Sequence, residues 1–289
     1  TLGAVTPIGY EVKERSVSIE TIPAQTPTRL FIGGTWLDSA AHLDVINPAT
    51  LTSLAHIGDA TEEQALHAVG AAHDALGAWG DTSTRQRSEI LRRAFNIMTD
   101  EIEDCARLIV LENGKAWPDA IGEATYAAEF FRWFSEEAVR VEGGFRPAPA
   151  GDKMIITTYQ PMGVAYMITP WNFPAAMATR KLAPALAAGC TAVLKPAAET
   201  PLTALWIADV LQRAGVPDGV VNVITTSASG PISTAILSDP RVATLSFTGS
   251  TYVGKLLLAQ TAQRVLPSSM ELGGNAPFLV LEGANVEQA

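Results

Sequence analysis

The chain has 289 residues, 47% hydrophobic and 17% charged, enough apolar material for a sizeable core in one large domain or two. A formal net charge of −10 argues against nonspecific nucleic-acid binding but leaves room for a locally basic site that takes an anionic ligand. The two cysteines form no disulfide framework and fit a reducing, cytoplasmic setting, no apolar run suggests a membrane span, and the four histidines read as structural or surface residues rather than metal ligands.

Residues 1–28, rich in Thr, Pro and Ser, are expected to be a tail. "RLFIGGTWLD" predicts a short hairpin turning on Gly33-Gly34, and "VINPAT" a strand stopped at Asn47-Pro48. Thr61, with Gln64 three residues on, predicts a capped helix start. Apolar residues recur at helical spacing through Ile90, Leu91, Ala94, Phe95 and Met98, then Ile102, Ala106 and Ile109. "AIGEATYAAEFFRWFSEEAVRV" is a further helix whose aromatic stripe reads as packing. "MIITTYQ" alternates with period two and predicts a hairpin or edge strand, an arm of the kind that pairs with a neighbouring subunit. From residue 162 apolar strands alternate with short helices as far as "RVLPSSMEL". That alternation predicts βαβ units, an α/β fold and a parallel, Rossmann-like sheet, whose ligand sits beyond the carboxyl ends of the strands.

Those ends carry polar residues. The five strands run into "TPWNFP", "LKPAAETP", "TTSASG", "FTGSTYVG" and "MELGG". They supply Asn172, Lys195, Ser229 with Gly230, Gly249 with Ser250, and Glu271, a set suited to a phosphate-bearing cofactor beside a reaction centre. "GSTYVGKL" nearly matches a P-loop, but Leu256 replaces the hydroxyl that would hold magnesium, which disfavours phosphate hydrolysis. The glycine spacing is not G-x-G-x-x-G either. What remains is a helix N-terminus, with Ser250, that can face a pyrophosphate. Glu271 lies between Met270 and Leu272 and next to two glycines; a glutamate is seldom fully buried without a reason.

In series, "TPWNFP", "LAAGCTAVLKPAAETP", "LSFTGSTYVG" and "MELGGNAPF" stand in the order and spacing of the aldehyde dehydrogenase superfamily, which the chain resembles from about residue 30 onward. Within it, "NFPAAMATRKLAPALAAGC", "FFRWFSEEAVRVEG", "SFTGSTYVGKLL" and "ELGGNAPF" are most similar to succinate-semialdehyde dehydrogenases. The resemblance implies that a cysteine thiolate attacks an aldehyde, hydride passes to a nicotinamide, and the thioester left behind is hydrolysed by water that a glutamate activates. Glu271 matches that general base, which works best with a pKa raised to roughly 6–7 by an apolar setting. Asn172 matches the amide that donates to the developing oxyanion, on a turn stiffened by Pro170 and Pro174. Lys195 matches the residue that binds the adenosine ribose hydroxyls or a 2′-phosphate. Ile168, Thr169, Pro170 and Trp171 line the cofactor path by the same resemblance, which Ser229, Gly230, Gly249 and Leu272 complete, with Ser250 at the pyrophosphate.

Many NAD-preferring members carry a glutamate three positions after this lysine. Here Ala198 stands there with Glu199 next, which leans towards NADP over NAD or to dual use. Arg180, eight residues after Asn172, matches the arginine that takes the far carboxylate of the substrate, its fork suited to bidentate pairing. The family's nucleophilic cysteine lies a few tens of residues beyond the glutamate, whereas Cys105 and Cys190 read as core.

The expectation is therefore the N-terminal portion, inactive alone, of an enzyme that oxidises succinate semialdehyde to succinate as a homodimer or homotetramer. Glutarate semialdehyde would suit Arg180 equally, and a non-catalytic nucleotide-binding module of the same fold is the alternative of another class. The expected division is an NAD(P)-binding domain from 29–141 and 162–270, the hairpin arm at 142–161, and from 271 the start of a truncated catalytic domain. "APFLVLE" is expected to be a strand with an exposed apolar edge.

Overall fold

Strands β1 (Leu30–Ile32) and β2 (Thr35–Leu37) form an antiparallel hairpin that turns on Gly33 and Gly34. Both glycines have positive φ, as tight hairpin turns of this kind require. The structure, a computed structural model, describes residues 20–287, so most of the expected tail lies outside the described residues. A second hairpin, β3 (Ala41–Ile46) and β4 (Ser53–Asp59), leads into α1 (Glu62–Asp81), α2 (Thr84–Asp100), α3 (Ile102–Asn113) and α4 (Trp117–Glu137). Thr61 and Ser83 open α1 and α2 with reciprocal capping boxes to Gln64 and Gln86. The apolar spacing that runs on from Met98 to Ile109 is interrupted at Glu101, which separates α2 from α3.

Among the described residues, strands β5 (Gly144–Pro147) and β6 (Met154–Thr157) pair only with each other, and they leave Phe145, Met154 and Ile156 exposed. The chain then alternates through β7 (Val164–Ile168), α5 (Pro174–Ala188), β8 (Thr191–Lys195), α6 (Leu202–Arg213), β9 (Val221–Val223), α7 (Ser229–Ser238), β10 (Val242–Gly249), α8 (Thr251–Ala262) and β11 (Ser268–Leu272).

The main sheet has the order β11-β10-β7-β8-β9-β1-β2. Its first five strands are parallel, and the β1–β2 hairpin adds antiparallel to β9. Helices α2 to α6 cover one face, where Ala165, Met167 and Leu194 point. Helices α1, α7 and α8 cover the other, with Tyr166, Val193, Leu245 and Phe247. Burial on both faces explains why β7 and β8 read as unbroken apolar runs. The chain builds outward from β7 to β9, then returns to lay β10 on the other side of β7. The crevice at that reversal is where open α/β sheets bind ligands.

Two expectations change at the C-terminal side. Strand β11 runs to Leu272, pairing Glu271 with Thr248 and Leu272 with Gly249, so the boundary drawn at 270 falls inside a strand. "APFLVLE" forms no strand; its Phe278, Leu279 and Leu281 are exposed on irregular chain.

One loop position gives a direct test of backbone fit. Gly219 has φ +80, and an added Cβ would stand 2.6 Å from the main-chain oxygen of Ala71 in α1. Left-handed backbone alone costs an L-residue about 1–2 kcal/mol. Gly219→Ala is expected to destabilise by about 2 kcal/mol or more in urea melts. Gly122→Ala, in α4 with open space around it, should instead stabilise by about 0.5–1 kcal/mol. Similar melts for both would contradict this account of Gly219.

Candidate active site

Sheet register gathers the predicted strand-end residues. Ile168 pairs with Lys195 on one side and Phe247 on the other, while Thr248 pairs with Glu271. Because side chains alternate along a strand, the register also sorts them by face. Lys195 shares the α7 side with Val193. Ser246, Thr248 and Glu271 share the α5 side, where Lys181 of α5 reaches Ser246. The segment Thr169-Pro170-Trp171-Asn172 leaves β7 between these two half-sites.

On the α7 side, Lys195 is 5% exposed. Its Nζ donates to the oxygen of Pro196 at 3.1 Å and to Ser229 Oγ at 3.2 Å. An ammonium has three donors, so one is left for a ligand. Burial pulls the Lys195 pKa down to about 8, against the opposing charge of Glu199. Glu199 is exposed and Ala198 half-buried in the following loop. Gly230 has open space where a Cβ would stand, leaving room over the first turn of α7. Ser250 is the N-cap of α8, its Oγ accepting from the amide of Val253 at 3.3 Å. Two helix N-termini and a buried ammonium with a spare donor fit the phosphates and ribose of a dinucleotide.

On the α5 side, Trp171, Asn172 and Phe173 are exposed, and their turn is held from behind. Asn113 Nδ2 donates to the Trp171 oxygen at 2.9 Å, and Lys115 Nζ to the Asn172 oxygen at 3.0 Å. Lys115 is ion-paired with Glu123, whose side chain is 0% exposed. The other Glu123 oxygen accepts from the amides of Ala175 at 2.9 Å and Ala176 at 3.3 Å. It thereby caps α5, whose own N-cap residue, Phe173, offers no side-chain bond. Arg180 lies further along α5, half-buried, donating to Tyr126 Oη at 2.6 Å and stacked 5.2 Å from the Phe130 ring centroid.

Lys181, the next residue, is 7% exposed and donates to Ser246 Oγ at 2.7 Å. Burial lowers its pKa to about 8, with the Glu271 carboxylate pulling upward and Arg180 pushing further down. The ammonium of Lys181 therefore lies within electrostatic reach of Glu271. Glu271 itself is exposed, so the apolar setting expected around a general base is not supplied by the described residues. Cys190 sits just before β8 begins, at the opposite end of the sheet from the site. Cys105 is fully buried in α3, where burial, then Glu123, Glu112 and Asp104, push its thiol up. Neither is a nucleophile here. Among the described residues, no group of His, Cys, Asp or Glu is placed to hold a metal ion, and no helix is long and apolar enough to cross a membrane.

Sequence reasoning missed Asn113, Lys115, Glu123 and Lys181. The "TRK" triplet contained Lys181 and could have raised it. For Asn113 and Lys115 the only local signal was "NGK" at a glycine helix stop, which says where the chain turns but not what the flanking side chains hold, and Glu123 lies inside α4 with no such signal.

The sequence profile of the Aldehyde dehydrogenase family matches residues 36–289. The chain is 48% identical over 264 residues to the mitochondrial succinate-semialdehyde dehydrogenase of Homo sapiens, covering 91% of the chain and 49% of that protein. It is 47% identical over 269 residues to the 3-sulfolactaldehyde dehydrogenase of Pseudomonas putida, covering 92% and 55%. Among solved structures, an NADP-dependent enzyme of E. coli superposes with a TM-score of 0.87 at 46% identity, covering 91% of this chain and 55% of that one. The chain spans about half the length of the curated relatives it matches.

Proposed function

Because the chain belongs to the aldehyde dehydrogenase family, we propose that the protein carrying it oxidises a small acidic aldehyde, first of all succinate semialdehyde, to the acid with NADP+ or NAD+. The observation that carries the substrate class is Arg180, a guanidinium two helical turns beyond the Asn172 turn, poised against Tyr126 and Phe130. It stands six positions after Pro174 in α5, about 9 Å along the axis. Helical side chains lean towards the N-terminus, so Arg180 reaches back to meet the far end of a short substrate.

The nicotinamide, when bound, accepts the hydride. The Asn172 amide donates to the aldehyde oxygen as it becomes an oxyanion on thiolate attack. Glu271 takes a proton from the water that hydrolyses the thioester, with the Lys181 ammonium on the same side of the sheet. Lys195, Ser229 and the α8 N-terminus at Ser250 hold the cofactor. Neither Cys105 nor Cys190, both buried, is placed to supply the thiolate. Exposed Phe145 and Ile156 on the β5–β6 hairpin support its use as an oligomerisation arm in a homodimer or homotetramer, and two buried free cysteines are compatible with a cytoplasmic setting.

The test uses the protein that carries this chain together with the second half its relatives have. Arg180→Ala is expected to raise KM for succinate semialdehyde about 10- to 100-fold, the loss of a charge-assisted hydrogen bond. An uncharged aliphatic aldehyde should be unaffected, and equal losses for both substrates would remove Arg180 from carboxylate recognition. The Pseudomonas relative makes a sulfonated aldehyde the second reading; kcat/KM for succinate semialdehyde, glutarate semialdehyde and 3-sulfolactaldehyde ranks them.

Ala198, in place of a ribose-binding glutamate, and the spare donor of Lys195 favour NADP. Lys195 has a pKa of about 8 in the unliganded site and loses its charge above it. NADP affinity is therefore expected to fall as pH rises through about 8. In Lys195→Met that fall should vanish along with most of the preference for NADP over NAD.

A further inference from the structure

Asn172 stands on a turn whose main chain is not part of the sheet or of α5, yet an oxyanion donor acts only if it is aimed in advance. The aim comes from a distant segment. Asn113 and Lys115, 58 and 57 residues earlier, donate to the consecutive main-chain oxygens of Trp171 and Asn172. Gly114 lies between them with φ +79, and an added Cβ would come 3.0 Å from Pro48 Cγ, so this reversal after α3 accepts little but glycine. The Lys115 ammonium also stands 3.8 Å from the Phe173 ring centroid. Its ion-pair partner Glu123 binds the amides of Ala175 and Ala176. One ammonium–carboxylate pair thus grips the chain at Asn172, just before Phe173, and at Ala175 and Ala176, beyond Pro174, and Asn113 fixes the peptide before Asn172.

We infer that Asn113, Lys115 and Glu123 are positioning residues for Asn172, holding the main chain on both sides of it so that its amide points at the oxyanion before substrate arrives. The inference rests on Asn172 being the oxyanion donor. Its test uses the same longer protein. The paired variant Lys115→Met/Glu123→Gln removes the ammonium that holds the Asn172 oxygen without leaving a buried charge alone, while glutamine keeps an acceptor for the start of α5. Its kcat is expected to fall about tenfold to a hundredfold, the scale of an ångström of misplacement. KM and cofactor affinity should hold, and Lys115→Arg, which keeps charge and donors, should recover most of the rate. In an Asn172→Ala background the paired variant should cause no further fall. Amide hydrogen exchange should quicken over residues 169–177 and not over α6.

Losses that multiply with Asn172→Ala, or unchanged exchange over 169–177, would overturn the inference and leave an ordinary structural ion pair. An Asn172→Ala variant with undiminished kcat would overturn the reading of the site itself and the inference with it. Should the paired variant fail to fold, Asn113→Ala leaves the ion pair intact and is read in the same way.

Discussion

Asn172→Ala is expected to lower kcat by about 10²–10³, equivalent to about 2.7–4 kcal/mol of barrier, while the protein melts where the wild type does. The two halves of that expectation come from different atoms of one residue. The hydrogen bond that Asn172 contributes to the fold uses its main-chain oxygen, with Lys115 Nζ as donor, and alanine keeps that oxygen. The side-chain amide sits exposed at the carboxyl end of β7, so its removal opens no cavity. On the proposed function, what disappears is one donor to charge that develops only in the transition state. Asn172→Asp should be at least as slow, because a carboxylate there repels the oxyanion instead of binding it. Steady-state kinetics at saturating aldehyde, with thermal melts of both variants, decide the matter. A loss of kcat under about threefold would mean the amide donates to nothing that matters. A parallel fall in melting temperature would mean the residue serves the turn instead.

The parts of this architecture that were legible in sequence are those fixed by neighbours. Parallel strands buried on both faces leave unbroken apolar runs, and a glycine such as Gly189, left-handed at φ 86 at the end of α5, is a helix stop visible without its partners. Thr61 and Gln64 announce the start of α1 within four residues. The same logic explains the failures. Met270 and Leu272 flank Glu271 in sequence, which suggested an apolar surround. In a strand, flanking side chains point to the opposite face, and Met270 packs towards the α8 layer while Glu271 turns to the α5 side. "APFLVLE" has strand composition, but an apolar run becomes a strand only where a partner strand pairs with it, and none of the described residues provides one. Glu112 and Glu123 were invisible as structural acids. Each sits in an amphipathic helix among other charges, and each acts on a helix start 90 and 52 residues away, respectively. No local pattern encodes a separation of that size.

Glu112→Ala is expected to destabilise the fold by about 3 kcal/mol, and the wild-type carboxyl should betray itself in the pH dependence of stability. The N-cap residue of α6, Pro201, offers no side-chain cap. The buried Glu112 side chain accepts instead from the amides of Leu202 at 2.7 Å and Thr203 at 2.9 Å, and from the Thr203 hydroxyl. Alanine would orphan all three donors, each worth about 1–3 kcal/mol when buried and unmet. Part of that loss is offset because the carboxylate is itself costly to bury. Burial raises its pKa to about 7 from an ordinary 4.5, against the hydrogen bonds from Thr203 and Leu202, with Glu123 adding a smaller push upward.

A folded pKa above the unfolded one means that, between about pH 4.5 and 7, the native state holds more protons than the unfolded state. Stability from this group is then fully present below about 4.5 and is lost as pH rises towards 7, by at most about 1.4 kcal/mol per pH unit. Glu112→Gln keeps an acceptor for the helix start but has no proton to lose. Urea melts of wild type and Glu112→Gln from pH 5 to 8 should therefore diverge, the wild type weakening relative to the variant until about pH 7 and running parallel above it. Curves parallel throughout would show that the helix start holds Glu112 as an anion across the range. In that case, the three hydrogen bonds outweigh the burial.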